Sequence, residues 1–153
     1  MYYTDERLRD IAVEIVRKRY TQKQMADDIH MIIETGDNLE VVRMLLERGV
    51  DIDAQNYYGR TALILASKNG HTEVVRILIE RGADVNIQSN DGKTALHLAA
   101  EEGKIKIVEY IIGNVEDKTP GYNYGSSGTF NDWTPLHDAA KYGHLEVYKC
   151  IAE

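Results

Sequence analysis

One cysteine, Cys150, stands in a chain of 153 residues. A lone thiol excludes an intramolecular disulfide and any zinc site built from several thiolates. It also fits a reducing compartment. No uninterrupted apolar run reaches the length needed to span a membrane. The opening stretch, MYYTDERLRD, places charges where a secretory leader needs an apolar core. No Gly-x-x-x-x-Gly-Lys loop is present to cradle a phosphate. Excess positive charge is lacking too: the net charge is −7, which argues against a general nucleic-acid-binding surface. That charge is uneven. Residues 1–24 carry six Lys/Arg against four Asp/Glu, and residues 25–153 carry twelve against twenty-one. These absences predict a soluble intracellular protein, cytoplasmic or nuclear, with no metal, no cofactor, and neither nucleic acid nor membrane as partner.

What is present is repetition. Thr61 begins TALILASKNG, Thr94 begins TALHLAAEEG and Thr134 begins TPLHDAAKYG, at spacings of 33 and then 40 residues. Each phrase precedes an apolar stretch: HTEVVRILIERGADVN, KIKIVEYIIGN and HLEVYKCIAE. A fourth copy, DNLEVVRMLLERGVDID, stands upstream, with Gly49 placed 33 residues before Gly82. The threonines stand where helix N-caps belong, and Pro135 fits a first helical position, where a missing N–H costs nothing. Gly70, Gly103 and Gly143 suit left-handed ends for a short first helix, and Gly49 and Gly82 suit the ends of a second. Small residues (Ala66, Ala99, Ala100, Ala139, Ala140) let first helices approach closely. The second helix, apolar nearly all round at Val74, Val75, Ile77, Leu78 and Ile79, must be covered on more than one side. One charged stripe is left over: Glu40, Arg43 and Glu47, then Glu73, Arg76 and Glu80, then Lys106 and Glu109, then Glu146, Lys149 and Glu153. Its helical spacing describes a solvated face.

A fixed period of this kind is the signature of a solenoid. The phrases "TPLHDAAKYGHLEV" and "GADVN" resemble the ankyrin-repeat family, over roughly residues 25–153. The resemblance implies an all-α solenoid of stacked helix–turn–helix units joined by hairpin-like loops. Residues 1–21 are expected to form a helix that caps the stack, since Leu8, Ile11, Ala12, Ile15 and Val16 share an apolar face and Arg17, Lys18 and Arg19 suit its last turn. A partner-binding or membrane-surface role is the alternative, and its four acidic residues weaken the membrane version. Residues 22–153 are expected to form the repeat domain, in units 22–55 (divergent), 56–88, 89–121 and 122–153 (partial). Thr21 and Gln24 have capping-box spacing for a helix reaching about Thr35.

His97 lies beside leucines and ahead of Glu101 and Glu102, which raises the question of a catalytic site. His97 and His137 share one slot, three residues after the capping threonine, and Ile64 fills it in the repeat between the first copy and theirs. A side chain there reaches back to the cap, and the resemblance implies a structural hydrogen-bond role. Glu101 and Glu102 are expected to be exposed, and adjacent helix positions point apart, so they cannot form an acid–base pair across a pocket.

The longer spacing places an insertion near residues 113–133. There Asn114 is expected to cap where Val115 replaces a glycine, and Tyr122, Tyr124, Phe130 and Trp133 supply aromatic surface. The insertion is either a binding element or a tolerated loop. At the end of the chain, Leu145, Val147 and Ile151 are expected to lack cover, as in a longer array cut short or a self-associating end. The resemblance implies a non-catalytic module binding a protein partner through hairpin tips and a concave first-helix face. The implied tips are Tyr57, Tyr58, Arg60, Asn90, Asp91, Lys93 and Trp133. The implied helix positions are Lys68, Asn69, Glu101, Glu102, Lys141 and Tyr142. A structural spacer or cap within a larger scaffold is the alternative. Leu78 and the run ADVN ending at Asn86 further resemble an ankyrin hairpin open to asparaginyl hydroxylation.

Overall fold

The computed structural model describes residues 4–16, 21–36, 38–114, 122–123 and 132–153. Arg17, Lys18, Arg19, Val115, Tyr124 and Phe130 lie outside these residues, as do the side chains of Ile15, Val16 and Tyr122. The described elements begin with α1 (Asp5–Val16), α2 (Gln22–Thr35) and α3 (Leu39–Glu47). Then come α4 (Ala62–Asn69), α5 (Thr72–Glu80), α6 (Ala95–Glu101) and α7 (Ile105–Ile112). After β1 (Tyr122–Asn123) and β2 (Asp132–Trp133) the chain closes with α8 (Pro135–Lys141) and α9 (Leu145–Ala152). The fold is an all-α solenoid in two layers. First helices α2, α4, α6 and α8 pack in one row, and second helices α3, α5, α7 and α9 pack in the other. The two short strands pair antiparallel, Tyr122 with Trp133 and Asn123 with Asp132, and so close the neck of the insertion.

Local chemistry sets these boundaries. Thr61 holds extended backbone, and its hydroxyl accepts the Ile64 N–H at 3.3 Å, so α4 starts there. Gly70, at φ 77°, ends it. The Thr21–Gln24 capping box forms as its spacing predicts, with Gln24 N–H on the Thr21 hydroxyl (3.2 Å) and Thr21 N–H on the Gln24 amide oxygen (3.0 Å). In the insertion neck, α7 stops at Gly113, and the Asn114 side-chain amide donates to the Tyr110 carbonyl at 2.7 Å. That bond takes over from the missing terminal glycine.

The core is continuous from Ile11 in α1 to Ile151 in α9. In α5, Val74, Val75, Ile77 and Leu78 are all buried. Each such side chain contributes about 1.5–3 kcal/mol. The charged stripe is exposed throughout, with ion pairs only at Glu73–Arg76 (3.8 Å) and Glu146–Lys149 (3.4 Å) among the described residues. Such pairs contribute roughly 0.2–0.5 kcal/mol each. At the front of the stack α1 packs on α3, Ile11 is fully buried, and Arg7 meets Asp28 at 3.5 Å. The far end differs from the sequence expectation. Val147 and Ile151 are buried, because they face back toward the preceding repeat, whereas Leu145 is 60% exposed and Tyr148 is exposed as well.

Histidines stitch neighbouring repeats. His71 donates from Nε2 to the Ile33 carbonyl (2.9 Å), and His144 does the same to the Glu101 carbonyl (2.8 Å). The His144 ring lies so close to Gly103 that a Cβ built there would sit 2.7 Å from it, at a backbone φ of +68°. Gly82 shares the left-handed backbone (φ +90°) but has nothing within 4 Å. Gly103→Ala should therefore lose about 1–2 kcal/mol to backbone strain and a further increment as His144 is displaced. Gly82→Ala should lose only the strain. Urea unfolding of the two variants checks this, and equal losses would remove the packing role given to Gly103.

Candidate partner-binding face

The hairpin between α3 and α4 is built by Asn56. Its side-chain oxygen accepts the Tyr58 and Arg60 amides, each at 3.0 Å, and its own N–H donates to the Arg60 carbonyl at 2.9 Å. This tight turn throws Tyr57 and Tyr58 outward, 88% and 61% exposed, with their rings edge-to-face at 5.5 Å. The Arg60 guanidinium lies 5.6 Å above the Tyr58 ring. The next hairpin grips this one through Asn90. Its N–H donates to the Tyr58 carbonyl (3.0 Å) and its side-chain amide to the Tyr57 carbonyl (2.9 Å). Asn90 thus spends its donors within the stack. Asp91 is exposed and accepts the Ser89 hydroxyl.

Along the first helices, Asn69, Glu102, Lys141 and Tyr142 are exposed and Lys68 is half-buried. Glu101 departs from expectation. It is half-buried rather than exposed, because it pairs with Lys93 across the mouth of its own repeat. Lys141 lies 5.7 Å from the Trp133 ring and 5.2 Å from the Tyr142 ring, between two aromatic faces.

Trp133 is less free than a tip residue should be. Its carbonyl accepts from His97 Nε2 (3.2 Å), and its indole N–H donates to Asp138 Oδ1 (2.9 Å). Asp138 is only 1% exposed, and its second oxygen has no hydrogen-bond partner. Asp138 was not anticipated as part of the site. The signal was present, since Asp138 fills the slot that Leu65 and Leu98 fill in the earlier repeats, and a carboxylate in an apolar slot asks for a donor. Burial pushes its pKa above the usual range. The indole N–H bond pulls back against that, and the nearby charges of Lys93, Glu101 and Lys141 act more weakly. Truncating Trp133 would leave this carboxylate without its one donor, a cost that a freely projecting contact residue would not carry.

The histidines show the same economy. His97 is fully buried, and Nδ1 accepts the Thr94 N–H at 3.1 Å, with the Thr94 hydroxyl 2.9 Å away. Nε2 therefore carries the proton that reaches the Trp133 carbonyl. His137 repeats the cap, with Thr134 N–H on Nδ1 at 3.0 Å. His30, which the repeated phrase does not mark, bridges from Nε2 to the Ala54 carbonyl at 3.0 Å, and burial lowers its pKa. Among the described residues no group of three or more His, Cys, Asp or Glu gathers as a metal site. No helix among them is long and apolar enough to cross a membrane. Asn86 is exposed, with its backbone N–H on Asp84 Oδ1 at 2.9 Å, and Leu78 is buried behind the hairpin.

Two overlapping stretches, residues 29–121 and 86–153, match the family described as Ankyrin repeats (3 copies). The chain belongs to the ankyrin-repeat family. Members of that family are generally protein–protein interaction modules. No curated protein matches the chain.

A carboxyl whose pKa is raised on folding is a destabilising charge above its folded pKa. The burden is relieved as pH falls from there toward the unfolded value of about 3.9. Asp138→Asn keeps an acceptor for Trp133 and removes the charge. Its stability relative to the parent should be most favourable at neutral pH and should decline as pH approaches 4. Thermal unfolding across that range checks it, and a difference between variant and parent that does not change with pH would show that the buried charge is no burden.

Proposed function

We propose that this chain is a non-catalytic binding module that takes up a protein partner along its hairpin tips and the exposed ends of its first helices. One observation carries the proposal. Tyr57 and Tyr58 stand side by side and exposed on one turn, Tyr57 the barest of the exposed large side chains among the described residues, and the turn is held by Asn56 from within and by Asn90 from the next hairpin. Rigid exposed tyrosines bury much area on contact and lose few rotors, which is why they dominate binding hot spots. Arg60, Lys68, Asn69, Glu102, Lys141 and Tyr142 continue this face across the repeats. Trp133, Lys93, Glu101, Asn90 and Asp91 shape it and hold its spacing. The lone Cys150 suits an intracellular setting.

A second reading rests on the terminal repeat. Ala139, Ala140, Gly143, His144, Leu145 and Tyr148 line an open recess of ≈ 390 Å³. Such a surface suits stacking against a further unit, in which case the chain acts as a spacer or self-associates. Affinity capture from lysate separates the two. Tyr58→Ala should weaken recapture of the bound protein by about 1–2 kcal/mol, and Glu73→Ala on the opposite stripe should not change it. Capture that survives Tyr58→Ala and is lost on Leu145→Glu would replace the first reading with the second. Loss at Glu73 alone would move the interface to the outer face.

Asn86 is proposed as a hydroxylation site on its exposed hairpin. Incubation with an asparaginyl hydroxylase should add one oxygen to the Asn86 peptide by mass spectrometry. An unmodified peptide beside a modified positive control would remove the assignment.

A further inference from the structure

In two repeats a residue at the base of the hairpin meets the residue eight positions later, near the end of the following helix, across the mouth of the unit. In the third unit they are Lys93 and Glu101, which form an ion pair. In the fourth they are Trp133 and Lys141, with the ammonium 5.7 Å from the ring centre. In both units the slots hold complementary chemistry, cation with anion or cation with aromatic face. The same slots in the second unit hold Arg60 and Lys68, two like charges. Neither has an ion-pair partner among the described residues. Arg60 turns to the Tyr58 ring instead, which orients its guanidinium without neutralising it.

An acidic chain has ample carboxylates with which to neutralise two half-buried cations, and among the described residues no ion pair does so. Thirty-three residues earlier stand Asp27, inside α2, and Thr35 at its end, so the first unit carries no such pair of cations. What the mouth of this unit lacks is the anion that Glu101 supplies next door. Resting on the assignment of this face to partner binding, we propose that Arg60 and Lys68 form a clamp for one acidic side chain of an extended partner segment. That carboxylate would sit between the two cations, against the exposed tyrosine pair. A guanidinium offers a carboxylate two parallel N–H groups, and an ammonium adds a movable third donor. The net charge of −7 repels a uniformly acidic segment at long range. The clamp therefore favours a segment in which a single acidic residue stands among neutral ones.

The test uses the full chain against arrayed short acetylated peptides that differ only in a central Glu, Gln or Lys, within varied neutral and aromatic contexts. Glu-centred peptides should bind about tenfold more tightly than their Gln counterparts, and added salt should narrow the gap. The double change Arg60→Gln and Lys68→Gln should erase the preference. Lys106→Gln with Lys149→Gln, on the outer stripe, should leave it intact and serves as the control for folding and net charge. A preference for Lys-centred peptides, or a Glu preference that survives the Arg60/Lys68 change, would overturn the clamp. So would displacement of the Glu-centred peptides by inorganic phosphate at matched concentration, because the site would then take any small anion. Binding without charge preference, still sensitive to Tyr58→Ala, would remove the clamp while sparing the partner-binding face. Absence of peptide binding together with lysate capture indifferent to Tyr58 would remove both.

Discussion

No repeat in this chain buries its own apolar surface, and everything else follows from that. Helix α5 is apolar on the sides that meet α3 and α7, so its Val74, Val75, Ile77 and Leu78 are covered only when both neighbours are in place. Stability is therefore a property of boundaries between units more than of the units. The small first helices, with Ala66, Ala99 and Ala100 fully buried, set the narrow spacing on one side of the stack. The larger second helices set the wider spacing on the other. The front boundary is closed by α1, and the rear one exposes Leu145 and Tyr148.

Polar groups at these boundaries are placed with the same logic. His97, His71 and His144 each use one nitrogen to reach a backbone carbonyl of an adjoining repeat. The boundary between the second and third units has no such bridge among the described residues. Ile64 holds the slot of His97, and Lys104 holds that of His144, its side chain lying against Gly70. Hairpin contacts serve instead, with Asn90 on Tyr57 and Tyr58 and the Gln55 side chain on the Gln88 carbonyl at 3.1 Å. One stack thus uses two different devices to fix its register.

Most of the architecture was legible from periodicity, since threonine caps, left-handed glycines and an apolar second helix recur at one spacing. The cap role of His97 was legible for the same reason, because its slot is occupied by another histidine in His137. Pairing between slots was not. Glu101 reads as an exposed helix residue until the fold brings Lys93 over it, eight positions earlier on a hairpin. Asp138 follows a Thr-x-Leu-His run that the third and fourth units share, and the departure comes one residue later, where the leucine of Leu98 gives way to a carboxylate. The direction in which Val147 and Ile151 face depends on how the last helix rotates against α7, a tertiary effect that hydrophobic pattern alone leaves open.

The grip of Asn90 on the preceding hairpin has a consequence of its own. It holds the carbonyls of Tyr57 and Tyr58, main-chain groups that any residue supplies, and Gly59 is needed because a Cβ there would meet the Asn90 side chain at 2.4 Å. Shape at this lip is encoded in main chain and glycine, while its surface chemistry is carried by side chains that support nothing. The two are independently inheritable. A lineage could exchange both tyrosines for other residues and acquire a new partner in a few substitutions, with the stack beneath unaware of the change.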